Sequence, residues 1–254
     1  YDNFDPKEHT LEWAERNNAL KPVDYWLLSK LQDTVRFVTR KLESCEFQFA
    51  LSELEEFVVD VVSCNYVPMV RKDLWTDDPE TLNRRLAVYS TLHHALKVLV
   101  LLFNPVTPFL CEALYQNAYR ELDHKLPESV NFETWPAPDE ALKDEVLEQQ
   151  FETLQQVVSL TYSARQAAKL KRRWPLGKVQ VAASKDSLKG LKELEDLFFE
   201  LANVKSVEFL DTPLTENAEG WQAASEGDVH VRLSTQRDES LVGEGIMRDL
   251  ARRV

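Results

Sequence analysis

The sequence predicts a mostly α protein, with an up-and-down helix bundle over residues 1–175 and a small α/β domain over 176–254. Three observations carry this. Apolar residues recur at helical spacing along the front of the chain, as in Trp26, Leu27, Leu31, Val35, Val38 and Leu42. Prolines and asparagines interrupt that pattern where one helix would turn into the next. Beyond Pro175 the period drops to two, as in Lys178-Val-Gln-Val-Ala-Ala183.

The elements follow in order. A first amphipathic helix starts at Pro22, and a second carries Phe47, Leu51, Leu54, Phe57, Val58, Val61 and Val62 on one face. A third runs from about Pro79 to Phe103, where Asn104-Pro105 stops it. Thr107-Pro108 then supplies an N-cap and a first-turn proline for a fourth, which reaches about Arg120. Leu122 to Pro138 holds three prolines and little periodicity and is expected to be a loop, after which Asp139 opens a long fifth helix ending near Lys171. In the rear part a strand over 178–183, a helix from Asp186 to Leu201, a strand from Val204 to Leu210 and a further strand over Asp228–Ser234 precede a last helix from Asp238 to Val254. Pro68 lies within the second helical pattern, where it should kink or end the helix.

With 254 residues, 44% hydrophobic and 29% charged, the chain can bury a sizeable core. No uninterrupted apolar run approaches the roughly 20 residues of a bilayer helix, the longest being Val98–Phe103, and no secretory signal opens the chain. Cys45, Cys64 and Cys111 are isolated and odd in number, which predicts free thiols and a cytoplasmic protein. The chain opens at Tyr1 and closes inside a helical pattern, so a piece of a longer protein is expected.

Catalytic chemistry finds little support. Six glycines are present and none has the spacing of a phosphate loop or a dinucleotide fingerprint. His93 and His94 are adjacent on one helix, so their side chains diverge by about 100° and cannot chelate an ion as an i, i+4 pair does. One stretch stands out against a formal net charge of -13. Residues 165–178 hold Arg165, Lys169, Lys171, Arg172, Arg173 and Lys178 around Trp174, with no carboxylate. Such a run fits either a surface that meets a polyanion or a solvated helix C-terminus whose cations complement the macrodipole. Arg71, Lys72 and Trp75 form a lesser group of the same kind. Trp75 and Trp174 suit base stacking or burial equally, whereas Trp26 and Trp135 read as packing.

Several strings, in order, carry a resemblance. Val23-Asp-Tyr-Trp-Leu-Leu-Ser-Lys30, Val70-Arg-Lys-Asp-Leu-Trp75, Leu102-Phe-Asn-Pro-Val-Thr-Pro-Phe-Leu-Cys-Glu112, Ser129-Val-Asn-Phe-Glu-Thr-Trp-Pro136, Ala164-Arg165 through Lys171-Arg-Arg-Trp-Pro-Leu176, and Glu244-Gly-Ile-Met-Arg-Asp-Leu-Ala-Arg-Arg-Val254 resemble the C-terminal helical region of class I aminoacyl-tRNA synthetases. They are most similar to the isoleucyl family, in its archaeal and eukaryotic branch. The resemblance implies a domain that binds the anticodon stem-loop of tRNA, with the α/β part as a junction and the rest of a synthetase chain as its other partner. Arg165, Lys169, Lys171, Arg172, Arg173, Trp174 and Lys178, with Arg71, Lys72 and Trp75, are then the candidate tRNA contacts. It also implies that ATP and magnesium belong to a catalytic domain carrying HIGH-like and KMSKS-like motifs, neither of which occurs here, so no cofactor, membrane or DNA is expected for this chain. The corresponding domain of a valyl or leucyl enzyme is one alternative; a non-catalytic helical protein-interaction module is another.

Overall fold

The computed structural model describes residues 4–75, 78–211 and 219–251. The chain divides into two compact units, Tyr1–Glu145 and Val146–Val254. Among the described residues the first is all-helical and the second combines helices with a mixed sheet, which is the fold class the sequence predicts, but the units part at 145/146 rather than at 175/176.

In the first unit α1 (Leu11–Arg16) starts on Thr10, whose hydroxyl accepts from the Trp13 N–H. Next, α2 (Pro22–Glu43) opens on a proline, and Asp24 reaches back to accept from the Lys21 N–H at 2.7 Å. Its buried face, including Trp26, Leu27, Leu31, Val35 and Val38, is the one the periodicity marks. The second predicted helix becomes three pieces: α3 (Phe47–Glu56), a π-helical stretch over Phe57–Tyr66, and α4 (Val67–Trp75). The change of character falls at Pro68. The Val67 N–H still reaches back five residues to the Val62 carbonyl, and Pro68 then occupies the first turn of α4, where a missing N–H is tolerated.

A 3-10 turn over Pro79–Thr81, capped by Asp78, leads into α5 (Leu82–Phe103). Pro79–Phe103 is long and apolar enough to cross a membrane by length and composition alone. It nevertheless carries Arg84, Arg85 and Lys97, and it packs against α1, α2, α4 and α6 as the central helix of the unit. After the Asn104-Pro105 stop, α6 (Pro108–Tyr115) begins where expected and continues as a π turn over Gln116–Arg120. Thr107 holds the N-cap position, but its hydroxyl turns back to the Phe103 carbonyl and Cys111 Sγ.

The predicted loop after Leu122 is pinned by polar contacts. Glu112 accepts from Ser129 Oγ and the Val130 N–H, the Tyr115 hydroxyl donates to the Pro127 carbonyl and to Glu133, and Trp135 Nε1 donates to Thr39 Oγ1. The fifth helix does not open at Asp139, which caps only a 3-10 turn over Glu140–Leu142. Buried Gln32 and Ser29 of α2 take the Asp139 and Asp144 N–H groups at 2.8 Å each, which holds this segment off the helical path.

The helix itself, α7 (Glu145–Ala167), belongs to the second unit. It buries Phe151, Leu154, Val157 and Ala164, and its Tyr162 hydroxyl donates to the Leu201 carbonyl. The sheet has the order β2-β1-β4-β3, built from β1 (Leu176–Ala182), β2 (Val204–Leu210), β3 (Trp221–Glu226) and β4 (Val229–Ser234). β1 and β2 are parallel and joined through α8 (Lys185–Glu193) and α9 (Glu195–Ala202), which divide at Leu194 the single helix expected there. β4 runs antiparallel to both β1 and β3. The sequence pattern did not mark β3. It closes a two-residue hairpin on Gly227-Asp228, with Gly227 at a φ of 60°. The last element is α10 (Glu239–Ala251); residues 252–254 of its predicted span lie outside the described residues.

Candidate nucleic-acid interface

The basic stretch begins where α7 ends. The N–H of Leu170 bonds to the Arg165 carbonyl at 2.9 Å and that of Lys169 to the Gln166 carbonyl at 3.0 Å, the two bonds of a Schellman stop. Lys169 takes the left-handed position with a φ of 56° where glycine is usual. The chain then turns through Lys171, Arg172 and Arg173 on the surface before Trp174 and buried Pro175 lead into β1.

The structure sorts the six cations into different roles. Arg165 is corrected from a tRNA contact to an internal clamp, since it is only 1% exposed. Its guanidinium donates to the carbonyls of Trp174 at 2.9 Å, Ala202 at 2.7 Å and Asn203 at 2.7 Å, tying the end of α7 to the end of α9 and to the start of β1. Burial lowers its pKa to about 10, which leaves it charged at neutral pH. Arg172 lays its guanidinium carbon 3.7 Å from the centroid of the Tyr162 ring, while its carbonyl accepts from Asn203. Lys178, on β1, pairs with Glu208 at 2.6 Å. Lys171 pairs with Asp249 at 3.1 Å and is largely exposed. Lys169 and Arg173 are exposed and make no ion pair among the described residues.

Trp174 is half-buried and engaged. Its Nε1 donates to Asp249 at 3.0 Å, and a Cβ on Gly245 would come within 2.6 Å of its ring, so the absence of a side chain at Gly245 lets α10 close on the indole. The surface of the second unit also gathers groups that sequence reasoning missed. Arg237 lies 5.2 Å from the Trp174 ring, Arg248 donates to Asn203 Oδ1 at 2.7 Å, and Lys205 pairs with Glu244 at 2.7 Å. The basic residues of the Glu244–Val254 string were the available signal for Arg248, whereas Arg237 and Lys205 stand alone in sequence.

The lesser group sits on the first unit. Trp75 ends α4 with 82% of its surface exposed, and Arg71 and Lys72 are exposed on the preceding turn. The helix that presents them is anchored by a buried network. Asp24, with no exposed surface, accepts from Arg84 at 2.5 Å and from the Tyr66 hydroxyl at 2.6 Å, and Arg84 also donates to Asp73 of α4 at 2.8 Å. Trp26 is buried, and Trp135 holds an edge through Thr39. His93 packs against Phe4 and Tyr119. Among the described residues no group of His, Cys, Asp and Glu is arranged to hold a metal.

The described residues thus form a helical unit and a unit with a small mixed sheet, with an exposed cationic turn ahead of that sheet. Residues 24–182 match the family described as the anticodon-binding domain of tRNA ligase, and the chain belongs to that family. It is similar to isoleucine–tRNA ligases: 39% identical over 209 residues to that of Methanopyrus kandleri, 35% over 209 to that of Pyrococcus furiosus and 33% over 223 to that of Methanosarcina barkeri. These matches cover 82%, 81% and 87% of this chain but 18%, 19% and 20% of the relatives, so the chain spans about a fifth of their length.

Proposed function

We propose that this chain is the part of an isoleucine–tRNA ligase that holds the anticodon stem-loop of its tRNA, with Lys169, Lys171, Arg172 and Arg173 gripping the backbone. The observation that carries this is the exposed turn over 169–173, which the buried Arg165 clamp holds in shape within a chain of net charge -13. Local positive charge attracts phosphate, while the acidic remainder discourages indiscriminate RNA binding. Trp75 and the cations beside it offer a second contact, with an exposed ring to stack on an unpaired base. Chemistry would be supplied by the remainder of the longer enzyme, working in the cytoplasm on isoleucine, ATP and magnesium, and neither DNA nor a membrane is a partner in this scheme. The isoleucine relatives favour this assignment over a valyl or leucyl counterpart and over a helical protein-docking module.

The test is binding of the chain to a fluorescein-labelled isoleucine tRNA anticodon stem-loop across a salt series. Replacing Lys171, Arg172 and Arg173 by alanine should weaken binding and flatten the salt slope by roughly 0.7 to 0.9 for each phosphate that is no longer neutralised. An unchanged slope would remove the turn from the interface.

A further inference from the structure

The cationic turn does not stand alone on its unit. Arg237, in the segment entering α10, lies beside Trp174; Arg248, on α10, donates to the Arg173 carbonyl at 3.4 Å and to Asn203; Lys205 projects from β2. Two carboxylates of α10 sit among these cations, and each bridges two donors. Glu244 accepts from Arg248 at 2.6 Å through one oxygen and from Lys205 at 2.7 Å through the other. Asp249 accepts from Lys171 at 3.1 Å and from Trp174 Nε1 at 3.0 Å. The Lys205 hydrogen bond foremost holds the Glu244 carboxyl below its ordinary range, and the Trp174 and Lys171 hydrogen bonds do the same for Asp249.

We infer that α10 is part of the same RNA surface, that Arg237, Arg248 and Lys205 contact backbone phosphates, and that Glu244 and Asp249 are resident counter-ions occupying the phosphate positions until RNA displaces them. This rests on the RNA-binding function proposed above and extends it to residues outside the 165–178 stretch. A carboxylate presents the same pair of acceptor oxygens to a guanidinium or ammonium that a phosphodiester does. Cations crowded within a Debye length of one another repel unless something neutralises them. Two partly exposed carboxylates supply that neutralisation, and ion pairs open to water are weak enough to be exchanged for a phosphate. The exchange conserves the number of charge-assisted bonds at each cation and frees the carboxylates to water.

The consequence is an unusual sign. Removing negative charge at Glu244 or Asp249 should strengthen RNA binding, whereas removing positive charge at Arg237 or Arg248 should weaken it. Asp249→Asn keeps one oxygen for both of its donors, and Glu244→Gln keeps one for either Arg248 or Lys205, a loss confined to partly exposed ion pairs, so the fold is preserved. The chain and its variants are titrated with the labelled anticodon stem-loop at low and moderate salt, and Glu226→Gln, an exposed carboxylate on β3, makes the same change in net charge elsewhere. Glu244→Gln and Asp249→Asn should each tighten binding by about two- to fivefold at low salt, with the gain shrinking as salt rises, and Glu226→Gln should do less. Arg237→Gln and Arg248→Gln should each lower the salt slope by roughly 0.7 to 0.9. If the wild type binds and these four variants behave like Glu226→Gln, α10 is not in the interface and the inference falls while the RNA function stands. If the wild type binds no RNA at either salt, the RNA function falls and takes this inference with it.

Discussion

Arg165→Met separates a structural clamp from an RNA contact. The methionine fills much of the space but leaves three carbonyls, those of Trp174, Ala202 and Asn203, without the donors that now sit at 2.7 to 2.9 Å. The Asn203 carbonyl keeps the Leu176 N–H at 3.2 Å, so two acceptors, those of Trp174 and Ala202, are left unmade at about 1–3 kcal/mol each, a gross loss of roughly 2–6 kcal/mol. Against that, the guanidinium is itself disfavoured by burial, and its lowering to about 10 corresponds to roughly 3 kcal/mol that the substitution relieves. The net destabilisation is therefore on the order of 1 kcal/mol, taking the middle of the range. Urea unfolding followed by tryptophan fluorescence reads it in a background where Trp13, Trp26, Trp75 and Trp135 of the first unit are replaced by phenylalanine, since Trp174 and Trp221 then report on the second unit. Arg165→Lys should lose a comparable amount, because one ammonium cannot reach carbonyls on three separate segments. A variant with an unchanged urea midpoint and reduced RNA affinity would refute the clamp and restore Arg165 to the surface.

Arg84→Met strands the Asp24 carboxylate in the core of the first unit and should cost about 3–5 kcal/mol, with the Asp24→Leu/Arg84→Met double variant less impaired than the single one; equal urea midpoints would contradict this. Cys45 closes α2 in the left-handed region with a φ of 60°, so Cys45→Gly should raise the stability of that unit by about 0.5–1 kcal/mol, as measured by its unfolding midpoint. Burial holds the His93 pKa below its value of 6.5 in the unfolded chain, so its contribution is complete above that pH and is lost on acidification, when the unfolded state takes the proton first. Thermal midpoints should therefore fall between about pH 7 and about pH 5, and His93→Phe, matching the Phe4 and Tyr119 rings around it, should flatten that fall.

Much of the fold is legible in the residues themselves. The buried face of α2 follows its 3.6-residue period, and the Asn104-Pro105 and Thr107-Pro108 pairs mark where α5 ends and α6 begins. What escaped depends on distant partners. The break before α7 arises because Ser29 and Gln32 of α2 capture backbone N–H groups more than a hundred positions along the chain, an interaction no local pattern encodes. β3 lacks an alternating apolar face, since Gln222, Ala223, Ala224 and Ser225 are small or polar, although Gly227-Asp228 was a usable hairpin signal. In sequence Arg165 is indistinguishable from the other cations of its run. Its burial is decided by the end of α9, which arrives from the far side of the β1–β2 crossover. The counter-charges on α10 are separated from the turn in the same way.

The central claim is recognition of an anticodon stem-loop, and fluorescence anisotropy of the chain with an isoleucine tRNA stem-loop against one of altered anticodon, at two salt concentrations, tests it most directly. The account predicts salt-sensitive binding that favours the isoleucine anticodon. Equal binding to both would reduce the surface to a phosphate clamp and contradict anticodon reading, and no binding to either would contradict the RNA interface altogether.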